Sequence, residues 1–235
     1  MVNEPAKYLQ VSAPNEGGRQ LVIGDVHGCH KTLDALLRKL KVSPLDQLFF
    51  LGDLVNRGPD SGKVLDQIIR LQESGYQAFV LRGNHEQLVL DAAEVSNEEL
   101  RSTLESRNAR SLLRKKGTLK KRYERFMKNT LHYVVLDKFY LVHAGFNLKT
   151  KTPFSDTRAM LWKRPFNLKK KINGKRVLYG HNPRRWQDIK QAVNMKLPHI
   201  GLDNGCVHTH LSKKYGRLIC LELGTMTLHK QRNCE

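Results

Sequence analysis

The sequence predicts an α/β fold of two packed mixed β-sheets flanked by helices, and three observations predict it. Between residues 20 and 86, apolar runs of strand length alternate with segments of helical periodicity, the pattern of a mostly parallel sheet covered by helices. After residue 133 the apolar runs read mainly as strands, which predicts a second sheet packed on the first. Several strands end beside glycine and Asp, Asn or His, and open sheets gather such tips on one rim, where ligands bind.

In chain order, residues 1–18 are polar and end in paired glycines; they are expected to form a flexible N-terminal tail ahead of a single domain over 19–235. Gln20 to Ile23 reads as a buried strand, and Leu33, Leu36, Leu37 and Leu40 mark a helix over 30–40. The unit repeats with a strand over Gln47 to Leu51 and a helix over 60–73 carrying Val64, Leu65, Ile68 and Ile69. A third strand, Gln77 to Leu81, precedes a helix beginning near Glu86. Residues 96–128 are polar, helical in pattern and increasingly basic, which predicts a helical basic insertion; its densest run, 114–122, reads as a solvated face or loop. Further strands are expected over Tyr133 to Leu136, Phe139 to Val142, Arg176 to Tyr179, Ile200 to Leu202, Leu218 to Leu223 and Met226 to His229.

Composition narrows the class. A chain of 235 residues with 40% hydrophobic and 27% charged residues suits a globular domain with a sizeable core. No apolar stretch is long enough to span a bilayer, and the N-terminal residues lack the basic-then-apolar pattern of a secretory signal, so an intracellular, cytoplasmic protein without a membrane partner is expected. Cys29, Cys206, Cys220 and Cys234 have no zinc-site spacing and read as reduced thiols. The net charge of +19 carries two readings: a solubilising surface, or attraction of a polyanion such as a nucleotide, RNA or polyphosphate.

The chemistry sits on the strand tips: Gly24-Asp25-Val26-His27-Gly28, Gly52-Asp53-Leu54-Val55-Asn56-Arg57-Gly58-Pro59, Gly83-Asn84-His85-Glu86, Val142-His143-Ala144-Gly145 and Tyr179-Gly180-His181. One rim is thereby offered the carboxylates of Asp25 and Asp53, the imidazoles of His27, His143 and His181, and the amide oxygen of Asn84. Such mixed nitrogen and oxygen donors suit manganese, iron or zinc better than calcium. Any one of these residues alone is a turn or a hydrogen-bonded core histidine more often than a ligand; the ordered set is what points to a metal centre.

This ordered set resembles the phosphoprotein-phosphatase superfamily of calcineurin-like metallophosphatases, whose pattern runs GDxHG, GDxVDRG, GNHE, HAG and a late GH. The resemblance extends from residue 24 to about residue 206 and implies the metallophosphatase β-sandwich with two divalent metal ions, manganese first. It assigns Asp25, His27 and Asp53 to one ion and Asp53, Asn84, His143 and His181 to the other. Two such ions activate water for in-line attack on phosphorus. Arg57, four residues after Asp53, and Arg82, two residues before Asn84, are expected to fork onto phosphoryl oxygens together with Asn84, and His85 is expected to protonate the leaving oxygen.

Two features refine the expectation. Asn56 stands where the protein Ser/Thr phosphatases carry an aspartate that orients and charges the catalytic histidine, so weaker acid help and a better leaving group, a phosphoanhydride, are expected. The runs Gly58-Pro59-Asp60-Ser61 and Gly201-Leu202-Asp203-Asn204-Gly205-Cys206 are similar to the symmetrical diadenosine-tetraphosphatases and their ApaH-like relatives, although Asn204 replaces a threonine and His208-Thr209-His210 stands where paired glycines are usual. The resemblance implies hydrolysis of dinucleoside polyphosphates or related nucleotide and RNA 5′-end substrates, with a Ser/Thr protein phosphatase or a polyphosphatase as alternatives. Leu161-Trp162-Lys163-Arg164-Pro165 and Lys169 to Lys171 are expected to line the substrate groove, with Arg164 on the phosphate. Trp162 and Trp186 read as packed core first and as base-stacking platforms second. Oligomeric state has no signature in the sequence.

Overall fold

The computed structural model describes residues 5–164, 166–167, 169–210 and 212–235, and its strands fall where the apolar runs lie. The strands are β1 (Tyr8–Gln10), β2 (Gln20–Ile23), β3 (Gln47–Phe50), β4 (Gln77–Val80), β5 (Tyr133–Val135), β6 (Phe139–Val142), β7 (Arg176–Tyr179), β8 (His199–Gly201), β9 (Arg217–Glu222) and β10 (Thr227–Arg232). The helices are α1 (His30–Leu40), α2 (Ser61–Glu73), α3 (Asn84–Val95), α4 (Asn97–Ser106), α5 (Lys121–Lys128), α6 (Thr157–Trp162) and α7 (Trp186–Asn194).

Two five-stranded mixed sheets form, in the orders β1-β5-β6-β7-β8 and β10-β9-β2-β3-β4. Strand alternation sorts the side chains between layers. Leu21, Ile23, Leu48 and Phe50 turn to the core under α1 and α2, while Val22, Phe49 and Leu51 turn inward to meet Leu141, Leu178 and Ile200 of the other sheet. β3 is buried on both faces, which is why Leu48, Phe49 and Phe50 follow one another without polar alternation. A third cluster, built on Tyr140, Phe146, Phe166 and Tyr179, covers the outer face of the first sheet.

The helices have local causes. α1 buries Leu33, Leu36, Leu37 and Leu40 on one stripe and stops at Lys41, whose left-handed backbone (φ 48°) caps the last turn. α2 begins where the Asp60 carboxylate accepts from the Lys63 backbone N–H at 3.0 Å, a cap worth about 1 kcal/mol. The insertion is helical as expected, but it is not detached: Leu100, Leu104, Leu112, Tyr123 and Met127 join the first core, and the longest exposed stretches are its start over 96–99 and the turn carrying Arg114, Lys115 and Lys116.

Part of the segment expected to be a loose tail is strand. Tyr8, Leu9 and Gln10 pair in parallel with Tyr133, Val134 and Val135, and the Tyr8 ring stacks on Tyr133 at 4.9 Å. A three-residue exposed strand has no periodicity to announce it; its partners lie more than a hundred residues away. Residues 1–4 of that segment and Pro165 of the expected groove lie outside the described residues. No helix among the described residues is long and apolar enough to cross a membrane.

Candidate metal centre

Both sheets deliver their tips to one seam. Asp25 and His27 follow β2, Asp53 follows β3, and Asn84 opens α3 just beyond β4. From the other sheet, His143 follows β6 and His181 follows β7. Close approach of these loops requires glycine: a Cβ on Gly52 (φ 97°) would lie 2.6 Å from the Gly83 nitrogen, and one on Gly83 would lie 2.2 Å from Asp53 Oδ1. His27, Asp53, Asn56, Arg57 and His181 all have positive φ, five of the ten non-glycine residues that do among those described, so backbone strain concentrates at this seam.

Glu86 organises the loops. Its Oε2 accepts from the N–H groups of Asp53 and Gly83, both at 2.9 Å, and its Oε1 from those of Leu54 at 2.8 Å and Val55 at 3.1 Å. The side chain is fully buried, and burial together with Asp53 pushes its carboxyl up to about 7. The sequence supplied Glu86 only as a letter of a motif; its place three residues after Gly83 is also the capping-box position of α3.

All six expected ligands are buried and meet here. His143 Nδ1 donates to the Leu51 carbonyl at 2.8 Å, so its Nε2 presents a lone pair; that atom lies 3.0 Å from Asn84 Oδ1 and 3.5 Å from Asp53 Oδ1. His27 Nδ1 likewise donates to the Val55 carbonyl at 3.2 Å and turns Nε2 toward Asp53 Oδ2 at 3.6 Å. Asp53 thus faces one imidazole with each oxygen. Ligand atoms of His27, Asp53 and His85, and of Asp53, His143 and His181, lie within 4.8 Å of one another. Asp25 completes the set from the side: its Oδ2 accepts from the His181 backbone N–H at 2.9 Å, and its buried Oδ1 has no hydrogen-bond partner among the described residues. His181 fits with one adjustment. Its Nε2 accepts from Arg164 Nε–H at 2.7 Å, so the neutral ring carries its proton on Nδ1; ligation through Nδ1 requires that proton on Nε2.

Electrostatics give the same answer. Burial pushes Asp25 well above the carboxylate range, with Asp203 and Asp53 adding to it, and burial pushes Asp53 and Asp203 up to about 7. Burial pulls His143 down to about 4 and His27 well below its usual value. Carboxylates packed against one another and against neutral imidazole lone pairs form a site whose charge a cation offsets, and an orphaned Asp25 oxygen is what an ion would satisfy. The residues present therefore fit two divalent metals.

Around this centre, the Asn56 side-chain nitrogen lies 3.0 Å from His85 Nδ1, and burial, followed by Arg57 and Arg107, pulls His85 down to about 3. Arg57 is exposed, with Nη1 at 3.3 Å from His27 Nε2 and 3.2 Å from His208 Nε2. Arg164 is also exposed and sits on His181.

Arg82 is a correction. Its Nε donates to Thr130 Oγ1 at 3.0 Å, its Nη1 to Gln87 at 3.1 Å, and its Nη2 to the carbonyls of Met127 at 3.3 Å and Lys128 at 2.9 Å. The buried guanidinium ties the end of α5 to the turn that follows β4, and these contacts turn it away from the ligand cluster. Trp162 is the other departure, 40% exposed beside Arg164 rather than packed in the core. Trp186 is partly buried, with Lys230 Nζ 4.4 Å above its ring.

Three residues near the site lacked an assigned role in the sequence. Asp203 follows β8 as another strand-tip acid, a signal that was present. Arg107, whose carbonyl accepts from the Arg57 N–H at 2.6 Å, comes from the insertion with no local signal. His208 was visible only as a departure from the glycines of the ApaH-like pattern.

Comparison with known proteins agrees with this geometry. The model of the calcineurin-like phosphoesterase family matches residues 18–220. The chain is 45% identical over 80 residues to serine/threonine-protein phosphatase 1 of Salmonella typhimurium, covering 34% of this chain and 35% of that protein. It is 27% identical over 186 residues to the symmetrical bis(5′-nucleosyl)-tetraphosphatase of Pseudomonas fluorescens, covering 74% of this chain and 58% of that one. The matched region is thus less than two thirds of either relative's length. Among solved structures, a candidate diadenosine tetraphosphatase superposes with a TM-score of 0.63 at 23% identity over 98% of this chain and 99% of that chain. A Saccharomyces cerevisiae protein serine/threonine phosphatase superposes with a TM-score of 0.64 at 16% identity over 99% and 85%. With two sheets meeting at a seam of buried Asp, His and Asn, and a family match over most of its length, the chain belongs to the calcineurin-like phosphoesterases, a family of metal-dependent phosphohydrolases.

Proposed function

We propose that this domain, residues 19–235 extended by β1, hydrolyses a phosphoanhydride of the dinucleoside polyphosphate class. One cation would be held by Asp25, His27 and Asp53, and the other by Asp53, Asn84, His143 and His181. Manganese is the first candidate, and iron and zinc also suit these donors. The bound pair would make hydroxide available at neutral pH and offset charge on the phosphoryl oxygens. Arg57 and Arg164, both exposed beside ligand imidazoles, would grip those oxygens bidentately, with the Asn84 amide nitrogen as a further donor. The unpaired thiols suit a reducing intracellular compartment.

The observation that carries the substrate class is Asn56 at 3.0 Å from His85 Nδ1. A carboxylate there would hold His85 in its charged form; an amide supplies no such charge, and the imidazole faces Arg57 as well. A neutral His85 is a weak acid for an alkoxide leaving from a phosphoserine. A nucleotide phosphate leaving from an anhydride needs far less protonation. Salmonella typhimurium serine/threonine-protein phosphatase 1 supports the second reading, a protein phosphatase.

The test is a parallel assay, with manganese, of diadenosine tetraphosphate, capped RNA, long-chain polyphosphate and a phosphothreonine peptide, run on the wild type and on Asn56→Asp. The wild type should prefer an anhydride, and Asn56→Asp should raise phosphopeptide turnover about 10-fold or more while changing anhydride turnover less than about 3-fold. A wild type that prefers the phosphopeptide, or an Asn56→Asp variant with no gain on it, would sink the argument.

A further inference from the structure

We propose that His208 is a positioning residue that fixes the Arg57 guanidinium at the metal centre; this rests on the phosphohydrolase reading for what Arg57 binds, and on geometry for how it is held. Arg57 is a long, exposed side chain at φ 71° on a loop whose neighbouring residues are buried, and a guanidinium so placed samples many orientations unless something accepts from it. Its Nη1 has two imidazole neighbours, His27 Nε2 at 3.3 Å and His208 Nε2 at 3.2 Å. These are not equivalent. The His27 lone pair is the one directed toward Asp53 and assigned to metal ligation, so His208 is the acceptor left to Arg57.

The His208 ring is itself fixed. Its backbone N–H donates to the Gly205 carbonyl at 2.8 Å, and its Cδ2 rests 3.0 Å from where a Cβ on Gly205 would stand. Gly205 has φ 63°, so that position is held open by backbone conformation, and the His210 ring closes the other side edge-on at 5.9 Å. Because an arginine only donates, His208 Nε2 accepts and its ring proton resides on Nδ1, which has no hydrogen-bond partner among the described residues. Paired glycines at this stretch would leave Arg57 without this acceptor. The chain therefore carries its own device for orienting the arginine.

The experiment compares His208→Ala, His208→Gln, Arg57→Ala and the double variant Arg57→Ala/His208→Ala in the manganese-loaded protein, with folding checked by circular dichroism. With diadenosine tetraphosphate, His208→Ala should raise KM about 10-fold with kcat within about 3-fold, the loss of one hydrogen bond to a charged group. His208→Gln, whose amide oxygen can accept from Arg57, should recover most of that loss. The double variant should be no worse than Arg57→Ala alone, since His208 acts through Arg57. Inorganic phosphate binding measured by calorimetry should weaken in the same order without any need for turnover. A His208→Ala variant that binds phosphate like the wild type, or whose defect adds in full to that of Arg57→Ala, overturns the proposal. A wild type without turnover that still shows this ordering for phosphate binding overturns the hydrolase reading alone.

Discussion

Replacing Glu86 by glutamine exchanges one carboxylate oxygen for an amide nitrogen at a point where four backbone N–H groups converge. Whichever way the amide turns, two of the four donors face another donor. An unsatisfied buried donor costs about 1–3 kcal/mol, and relief of repulsion between Glu86 and Asp53 returns part of that, so a net loss of about 2–4 kcal/mol is expected. For a chain of this size that is about 5–15 °C in Tm. The consequence is larger for function than for stability, because the freed N–H groups belong to Asp53 and to the loop that carries Asn56. Urea denaturation at fixed pH gives the stability term, and manganese titration by calorimetry gives the ligand-positioning term; both should fall, metal affinity by about 10-fold or more, although Glu86 is expected to touch no metal. A Glu86→Gln protein with wild-type midpoint and wild-type metal affinity would refute the role given to this carboxylate.

Further outcomes follow from other contacts. Arg82→Ala should lower stability by about 2–4 kcal/mol in urea, through the acceptors it leaves at Thr130, Gln87, Met127 and Lys128, the first and third of them buried, while kcat/KM at a permissive temperature stays within about 3-fold. Asp46 is pushed up by burial, but the Arg19 side chain and the N–H groups of Ser43 and Arg19 outweigh that and hold it below the usual carboxylate range. Its contribution is therefore present above the unfolded value of about 4 and lost as pH falls through the lower folded value; Asp46→Asn should flatten that acid limb of the stability profile. Chelation should abolish hydrolysis and lower Tm, and manganese returned at about 100 times its dissociation constant should restore about 2.7 kcal/mol.

Much of the centre was legible because its chemistry is written at strand tips. Gly24-Asp25, Gly52-Asp53, Gly83-Asn84 and Gly180-His181 each follow an apolar run, and an open sheet needs no further information to bring its tips to one rim. Arg82 shows where that logic ends. It lies two residues from Asn84, yet its direction was decided by carbonyls at the end of α5, more than forty residues along the chain. β1 escaped for a related reason, since its only reward is pairing with Tyr133 to Val135. α6 and α7 escaped because short helices with few apolar positions leave a weak period. Trp162 reads as core by residue type and stands exposed because only Met160 and Leu161 of its helix turn inward.

The division of the ligands between the sheets has a mechanical consequence. Asp25, His27, Asp53 and Asn84 ride on one sheet, while His143 and His181 ride on the other. The cation assigned to Asp53, Asn84, His143 and His181 would rivet the layers at their common edge, so that neither could open without breaking coordination. Amide exchange in β2 and β7 should then slow together on loading and quicken together on stripping. Strands that lie in different sheets would thereby unfold as one unit.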